Sequence, residues 1–409
     1  MVLDYANKLS EVVLKKGVNL KKGQCLHIVV GPKSYDYASV MAQKAYEFGA
    51  RYVQITVKDA QIDGARSIYQ KNKEDLEFVP SYLKNADFEY IAEDWARVRI
   101  DSGEDRIEEI KSNLDSLQII SRATRRNSKE FNAKTMSNEL SWNVCAVPGP
   151  EWAKRVMGKN ATEEDLARVM GKLMKLDQDD YLNAWDEFDK LSNKRCNWLN
   201  DMGIKELHYI SSVTDFIVGL KPFARFCGGS ASLSDGSRFF ANLPTEEIFS
   251  VPDMNTAHGY VTTTKPVTVM DHETEGVTLY FKNGEVYDVK AKKGLDIMKK
   301  YLEVDEGARK LGEVALVDES SPIAQSGLVF GSILIDENAS CHLALGAGYP
   351  ECLISPSPLK TDQDMLNAGC NVSLVHTDFM VGSPELDIIA TTYDGKEIKI
   401  MEKGHFTLK

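Results

Sequence analysis

Two histidines and a scatter of acids in the second half of the chain are of the types that hold metal ions: His342, His376, Asp378, Glu313 and the Glu246–Glu247 pair. Imidazole with carboxylate is the donor set that binds one or two divalent cations such as zinc, cobalt or manganese. His376-Thr377-Asp378 closes an expected strand over 371–376, and a period of two sets His376 and Asp378 on one face with Thr377 on the other. His342 lies in the apolar stretch 340–346, where a histidine is either a hydrogen-bonded core residue or a ligand. Glu313 opens the apolar run 314–317, and a carboxylate buried there is costly unless paired, protonated or bound to metal. Glu246 and Glu247 follow Asn242-Leu-Pro-Thr and could cap a helix, although Phe249-Ser-Val-Pro252 leaves one little room. Taken singly, each has a structural explanation.

Other chemistry finds no support. The sequence has no Gly-x-Gly-x-x-Gly after the first strand, no Walker A loop and no Gly-x-Ser-x-Gly elbow. His272-Glu273 begins like a zincin helix, but the position of its second histidine is Gly276. Gly228-Gly-Ser-Ala-Ser reads as a glycine-rich turn rather than a phosphate loop. Cys341 and His342 are adjacent in an expected strand, so they point to opposite faces and make a poor nucleophile pair. Seven cysteines without a Cys-x-x-Cys read as reduced, mostly buried thiols.

What must position the candidate donors is set by size and patterning. With 409 residues, two domains are expected, and 43% hydrophobic with 27% charged residues fits soluble globular domains. A net charge of −12 disfavours nucleic acid as a partner. No window reaches the roughly 18 apolar residues of a membrane span, and the N-terminus lacks the apolar core of a signal peptide, which makes the cytoplasm the expected location and no membrane partner is expected.

In residues 1–203 helices are expected over 4–18 and 39–46, alternating with strands over 24–30, 52–57, 88–92, 117–120 and 142–147. That is an α/β domain with an open, mostly parallel sheet flanked by helices. Thr162-Glu-Glu-Asp starts a helix and a second runs over 181–198, closing the domain. Residues 204–409 read as an α+β, mainly antiparallel domain that carries the metal site. Its strands are expected over 206–211, 215–220, 277–281, 285–289, 328–334, 342–345, 371–376 and 385–390, with one helix over 294–302 and a hairpin turn at Asn283-Gly284.

Order and neighbours add what single residues do not. Asn242-Leu-Pro-Thr-Glu-Glu-Ile-Phe, Glu306-Gly-Ala-Arg-Lys-Leu-Gly-Glu313-Val-Ala-Leu, His342-Leu-Ala-Leu-Gly, Tyr349-Pro-Glu and His376-Thr-Asp378, in that order, resemble the aminopeptidase T / aminopeptidase S family of di-metal exopeptidases. The resemblance implies two divalent ions per subunit, zinc, cobalt or manganese, with Glu247, Glu313, His342, His376 and Asp378 as ligands and Glu313 bridging. Tyr349 is implied as a ligand or as a hydroxyl facing the reacting carbonyl, and Glu246 as either a proton shuttle or a solvated neighbour. The implied activity is release of N-terminal residues from peptides with a free amine by metal-activated water, in a homodimer. The same donors also serve amidohydrolases and phosphoesterases, and a two-domain ligand-binding protein would carry the acids merely exposed.

Overall fold

The computed structural model describes residues 1–107, 110–270, 272–354, 359 and 361–408. They divide into two compact units, Met1–Trp185 with Ser230–Pro244, and Asp186–Gly229 with Thr245–Lys409. Among the described residues no helix is long and apolar enough to cross a membrane.

The first unit is built on the β-branched and apolar run Cys25–Val30, which pairs in parallel with Tyr52–Val57 on one side and Ala96–Asp101 on the other. Trp142–Ala146 and the two-residue strand Asn242–Leu243 extend the sheet, again in parallel. Helices Leu3–Val12, Tyr35–Glu47 and Glu163–Leu173 belong to this unit, the last started by a capping box between Thr162 and Asp165. A sheet wound in both directions from its first strand has its ligand crevice beyond the strand ends at the point of reversal. Here Asp105 fills that place, accepting from Lys33 N at 2.9 Å and Ser34 Oγ at 2.7 Å.

Two expected strands of this unit are helical. Residues 88–92 end the helix Ser81–Ala92, and 117–120 lie inside Leu114–Asn127, whose start is capped by the Asn113 side chain. Short apolar runs carry no period long enough to separate the two states. The strand that takes their place, Ala96–Asp101, alternates Ala96, Val98 and Ile100, all buried, with Arg97, Arg99 and Asp101.

The second unit holds an eight-stranded antiparallel sheet, from Glu285–Lys290 at one edge to His405–Phe406 at the other, with Ile204–Ser211 at its middle. Asn283 and Gly284, both at positive φ, turn its first hairpin. The expected strand over 328–334 is absent; a short helix, Ile333–Asp336, stands at its end. The second sheet of this unit has the order His376–Met380, His342–Gly346, Leu311–Leu316, Ile248–Ser250, Cys227–Gly228, antiparallel throughout. His376 opens its strand rather than ending one over 371–376. The same-face relation of His376 and Asp378 survives, because period two holds in either direction along a strand.

Candidate metal centre

Register across the second sheet assembles the donors. Glu313, Ala344 and Asp378 are cross-strand partners on three successive strands, His342 lies opposite Ala315, and His376 lies opposite Gly346. Cross-strand partners share a face, so Glu313, His342, His376 and Asp378 project from one side of the sheet. Small residues (Ala315, Ala344, Gly346) stand between them and leave room for the larger donor side chains. The alternate positions Val314, Leu316, Leu343, Leu345 and Phe379 are buried in the hydrophobic core of the unit. Thr377 goes with them and meets Tyr301.

Two glycines make this packing possible. A register shift between Leu311 and Glu313 marks a bulge at Gly312, where a Cβ would stand 2.2 Å from the Ala347 carbonyl oxygen. Gly346 has φ +113, and a Cβ there would lie 2.0 Å from the Val375 carbonyl oxygen.

Glu247 reaches the same face from the loop just before Ile248–Ser250; no helix forms there, so the acid pair caps nothing. Its Oε2 is 3.1 Å from His342 Nε2. His376 Nε2 is 3.3 Å from both Glu313 Oε2 and Asp378 Oδ1. The Tyr349 hydroxyl lies 3.4 Å from His376 Nε2, and its ring packs on His376 and, edge-on, on Phe249. Two groups of donors result, Glu247–Glu313–His342 and Glu313–His376–Asp378, each with its ligand atoms within 4.8 Å of one another. Glu313 belongs to both.

The charge pattern is that of a cluster made for cations. Burial, with Glu247 and Asp378 nearby, pushes the Glu313 carboxyl up to about 7 despite the relief from His376. Burial works against charge on His342 and His376 as well, yet Glu247 raises the first to about 10, and Asp378 with Glu313 raises the second to about 11. Asp378 is held below the usual carboxylate range by the two imidazoles against its burial. Its Oδ1, 3.3 Å from His376 Nε2 but not aligned for a hydrogen bond, is buried without a hydrogen-bond partner among the described residues. A buried carboxylate oxygen in that state fits a metal ligand. Tyr349 is raised well above its ordinary value by burial and by the surrounding acids.

One acid of the centre escaped the sequence reading. Glu337 follows the short helix Ile333–Asp336, and burial together with the fields of Glu247 and Asp378 pushes its carboxyl far up. Its only signal was position, five residues before His342. Glu246, the neighbour of Glu247, donates its backbone N–H to Asn338 Oδ1 at 2.6 Å, and its charge acts on Arg195. His272 and Glu273 sit in a separate two-stranded hairpin, where Glu273 pairs with Lys293.

The chain leading into the His376 strand is pinned by Asp305, which accepts from Ala308 N at 2.8 Å, Ser373 Oγ at 2.8 Å and Leu374 N at 2.6 Å. Partial burial would raise its pKa, but these bonds bring it below the usual carboxylate range. A lowered folded value means stability that is complete above the unfolded pKa of about 4 and lost as pH falls through the folded one. Asp305→Asn should therefore cost about 1 kcal/mol at pH 7, a screened value for a half-exposed group. The difference in urea midpoint between variant and parent should narrow as the pH falls below about 4; a gap that stays constant would exclude the assignment.

Comparison with known proteins agrees over the whole chain. The family described as thermophilic metalloprotease (M29) matches residues 4–406. The aminopeptidase PepS of Streptococcus thermophilus is 32% identical, covering 98% of this chain and 97% of that protein. Aminopeptidase T of Thermus aquaticus is 30% identical, covering 98% of each. The solved structure of wild-type AmpT from Thermus thermophilus superposes with a TM-score of 0.88 at 29% identity, covering all of both chains.

Proposed function

Since the chain belongs to the thermophilic metalloprotease (M29) family and is a metal-dependent aminopeptidase, we propose that it releases N-terminal residues from peptides using two divalent cations held on the Glu313 face of its second sheet. The observation that carries this reading is the membership of Glu313 in both donor groups. Glu247 and His342 would hold one ion, His376 and Asp378 the other, with Glu313 shared, and the half-buried Glu337 is available to complete the set. Zinc, cobalt and manganese all suit imidazole with carboxylate.

Bound there, the cations supply Lewis acidity, polarising the scissile carbonyl and acidifying water. The residues do the rest. His376 is aimed by its Nδ1 contact with the Ala347 carbonyl oxygen at 2.7 Å, which leaves Nε2 for the centre. The Tyr349 phenol keeps its proton and can donate a hydrogen bond to the oxygen that gains charge as the carbonyl turns tetrahedral. A substrate's free α-amine would complete the ligand set of one ion, which restricts cleavage to the first residue. We further propose a cytoplasmic homodimer, which light scattering on the purified protein tests.

The test of the activity uses a leucyl chromogenic amide. Release of the chromophore should vanish with a chelator, return on adding cobalt, zinc or manganese, and fail on the N-acetylated substrate. Turnover that survives full metal removal, or equal cleavage of the blocked amide, would refute the reading.

A further inference from the structure

Three segments must meet for the His376 strand to lie correctly beside the His342 strand: the turn Glu306–Arg309, the end of His342–Gly346, and the chain that enters His376. Asn371 joins them. It is 2% exposed, and its Nδ2 donates to Gly307 O at 2.7 Å and Gly346 O at 2.6 Å, with a longer contact of 3.3 Å to Lys310 O. Its own carbonyl oxygen accepts from Gly348 N at 2.9 Å.

Both ends of the arch Gly346-Ala347-Gly348 are thus tied to one residue. Between them, Ala347 N donates to Val375 O at 2.8 Å, and Ala347 O accepts from His376 Nδ1 at 2.7 Å. The arch cannot relax towards Gly312, because the Ala347 carbonyl already occupies the space a Cβ would need there. A chain of contacts therefore runs from the Asn371 amide through the Ala347 carbonyl to the ring whose Nε2 sits 3.3 Å from Glu313 and Asp378. Only a carboxamide suits the position. Aspartate has no donor and would set a charge against the oxygens of Gly307, Gly346 and Lys310, while alanine would leave buried carbonyls unpaired.

We propose that Asn371 is a positioning residue for His376, fixing the arch whose Ala347 carbonyl orients the imidazole towards the metal centre. The proposal rests on His376 being a metal ligand. Partners that orient a ligating imidazole are worth about 10- to 100-fold in metal affinity.

The experiment compares Asn371→Asp and Asn371→Ser with Tyr301→Phe, which loses a hydrogen bond to Leu345 O on the opposite face of the same sheet. Cobalt affinity is measured by competition with a chromogenic chelator. The protected Nδ1–H signal of His376 is followed by NMR in metal-free, 15N-histidine-labelled protein. Asn371→Asp should lose about 10- to 100-fold in affinity and the protected signal, Asn371→Ser should lose less, and Tyr301→Phe should keep both. Parental affinity and an intact signal in folded Asn371→Asp would overturn the proposal. So would an equal loss in Tyr301→Phe, which would make the effect one of stability. Should Asn371→Asp not fold, Asn371→Ser with parental affinity and signal overturns it equally. If the parent itself binds no cobalt, the ligand reading fails, and the NMR signal still decides whether Asn371 orients the ring.

Discussion

Glu313→Gln should empty both halves of the centre at once. Glu313 alone contributes to both donor groups, so the change removes the charge two cations would share and sets an amide N–H₂ where one oxygen stood. Metal content per chain, measured by mass spectrometry, should fall from the two ions proposed for the parent towards zero. The loss in kcat/KM should exceed the roughly 10²- to 10³-fold that removal of a single transition-state hydrogen bond costs. Stability should move the other way. Burial already pushes this carboxyl up to about 7, so its ionised form is a burden on the metal-free fold, and glutamine lifts that burden without changing shape. Metal-free Glu313→Gln should melt no lower than the metal-free parent, while the gain in Tm expected of the parent on adding cobalt should disappear. A variant that retains two ions and most of the activity would show that Glu313 does not bridge.

Legibility in the sequence followed the range of the forces involved. Period two placed His376 and Asp378 on one face although the strand starts at His376 instead of ending there, because alternation is local. The buried surroundings of His342 were visible for the same reason: every residue of its strand is buried. Short apolar runs failed where tertiary packing decides. Residues 88–92 became helical, and Tyr90 stacks on His27 of the first strand, while Ala96–Asp101 hid its strand behind two arginines. Glu337 was illegible because only the fold brings its carboxylate under the fields of Glu247 and Asp378. Asn371 was illegible for a further reason: its partners are backbone carbonyls, which any sequence supplies.

Tyr349→Phe should separate catalysis from assembly. The hydroxyl is the only group removed; the ring still packs edge-on against Phe249 and beside His376, so stability and metal content should hold. Burial and the acids around it favour the protonated phenol, the form that donates a hydrogen bond. Its contact with His376 Nε2, at 3.4 Å, is long and easily exchanged for one to substrate. A donor aimed at charge that develops only as the carbonyl becomes tetrahedral acts on the transition state more than on the bound peptide. The expected loss is therefore in kcat, about 10²- to 10³-fold, with KM for a leucyl amide nearly unchanged. If Tyr349 were instead a ligand, the same substitution would lower cobalt content and the fall in activity would be recovered at high cobalt. An unchanged kcat with a raised KM would place the hydroxyl in ground-state binding. The first result requires the phenol to act on the developing oxyanion, and neither of the others can arise from that role.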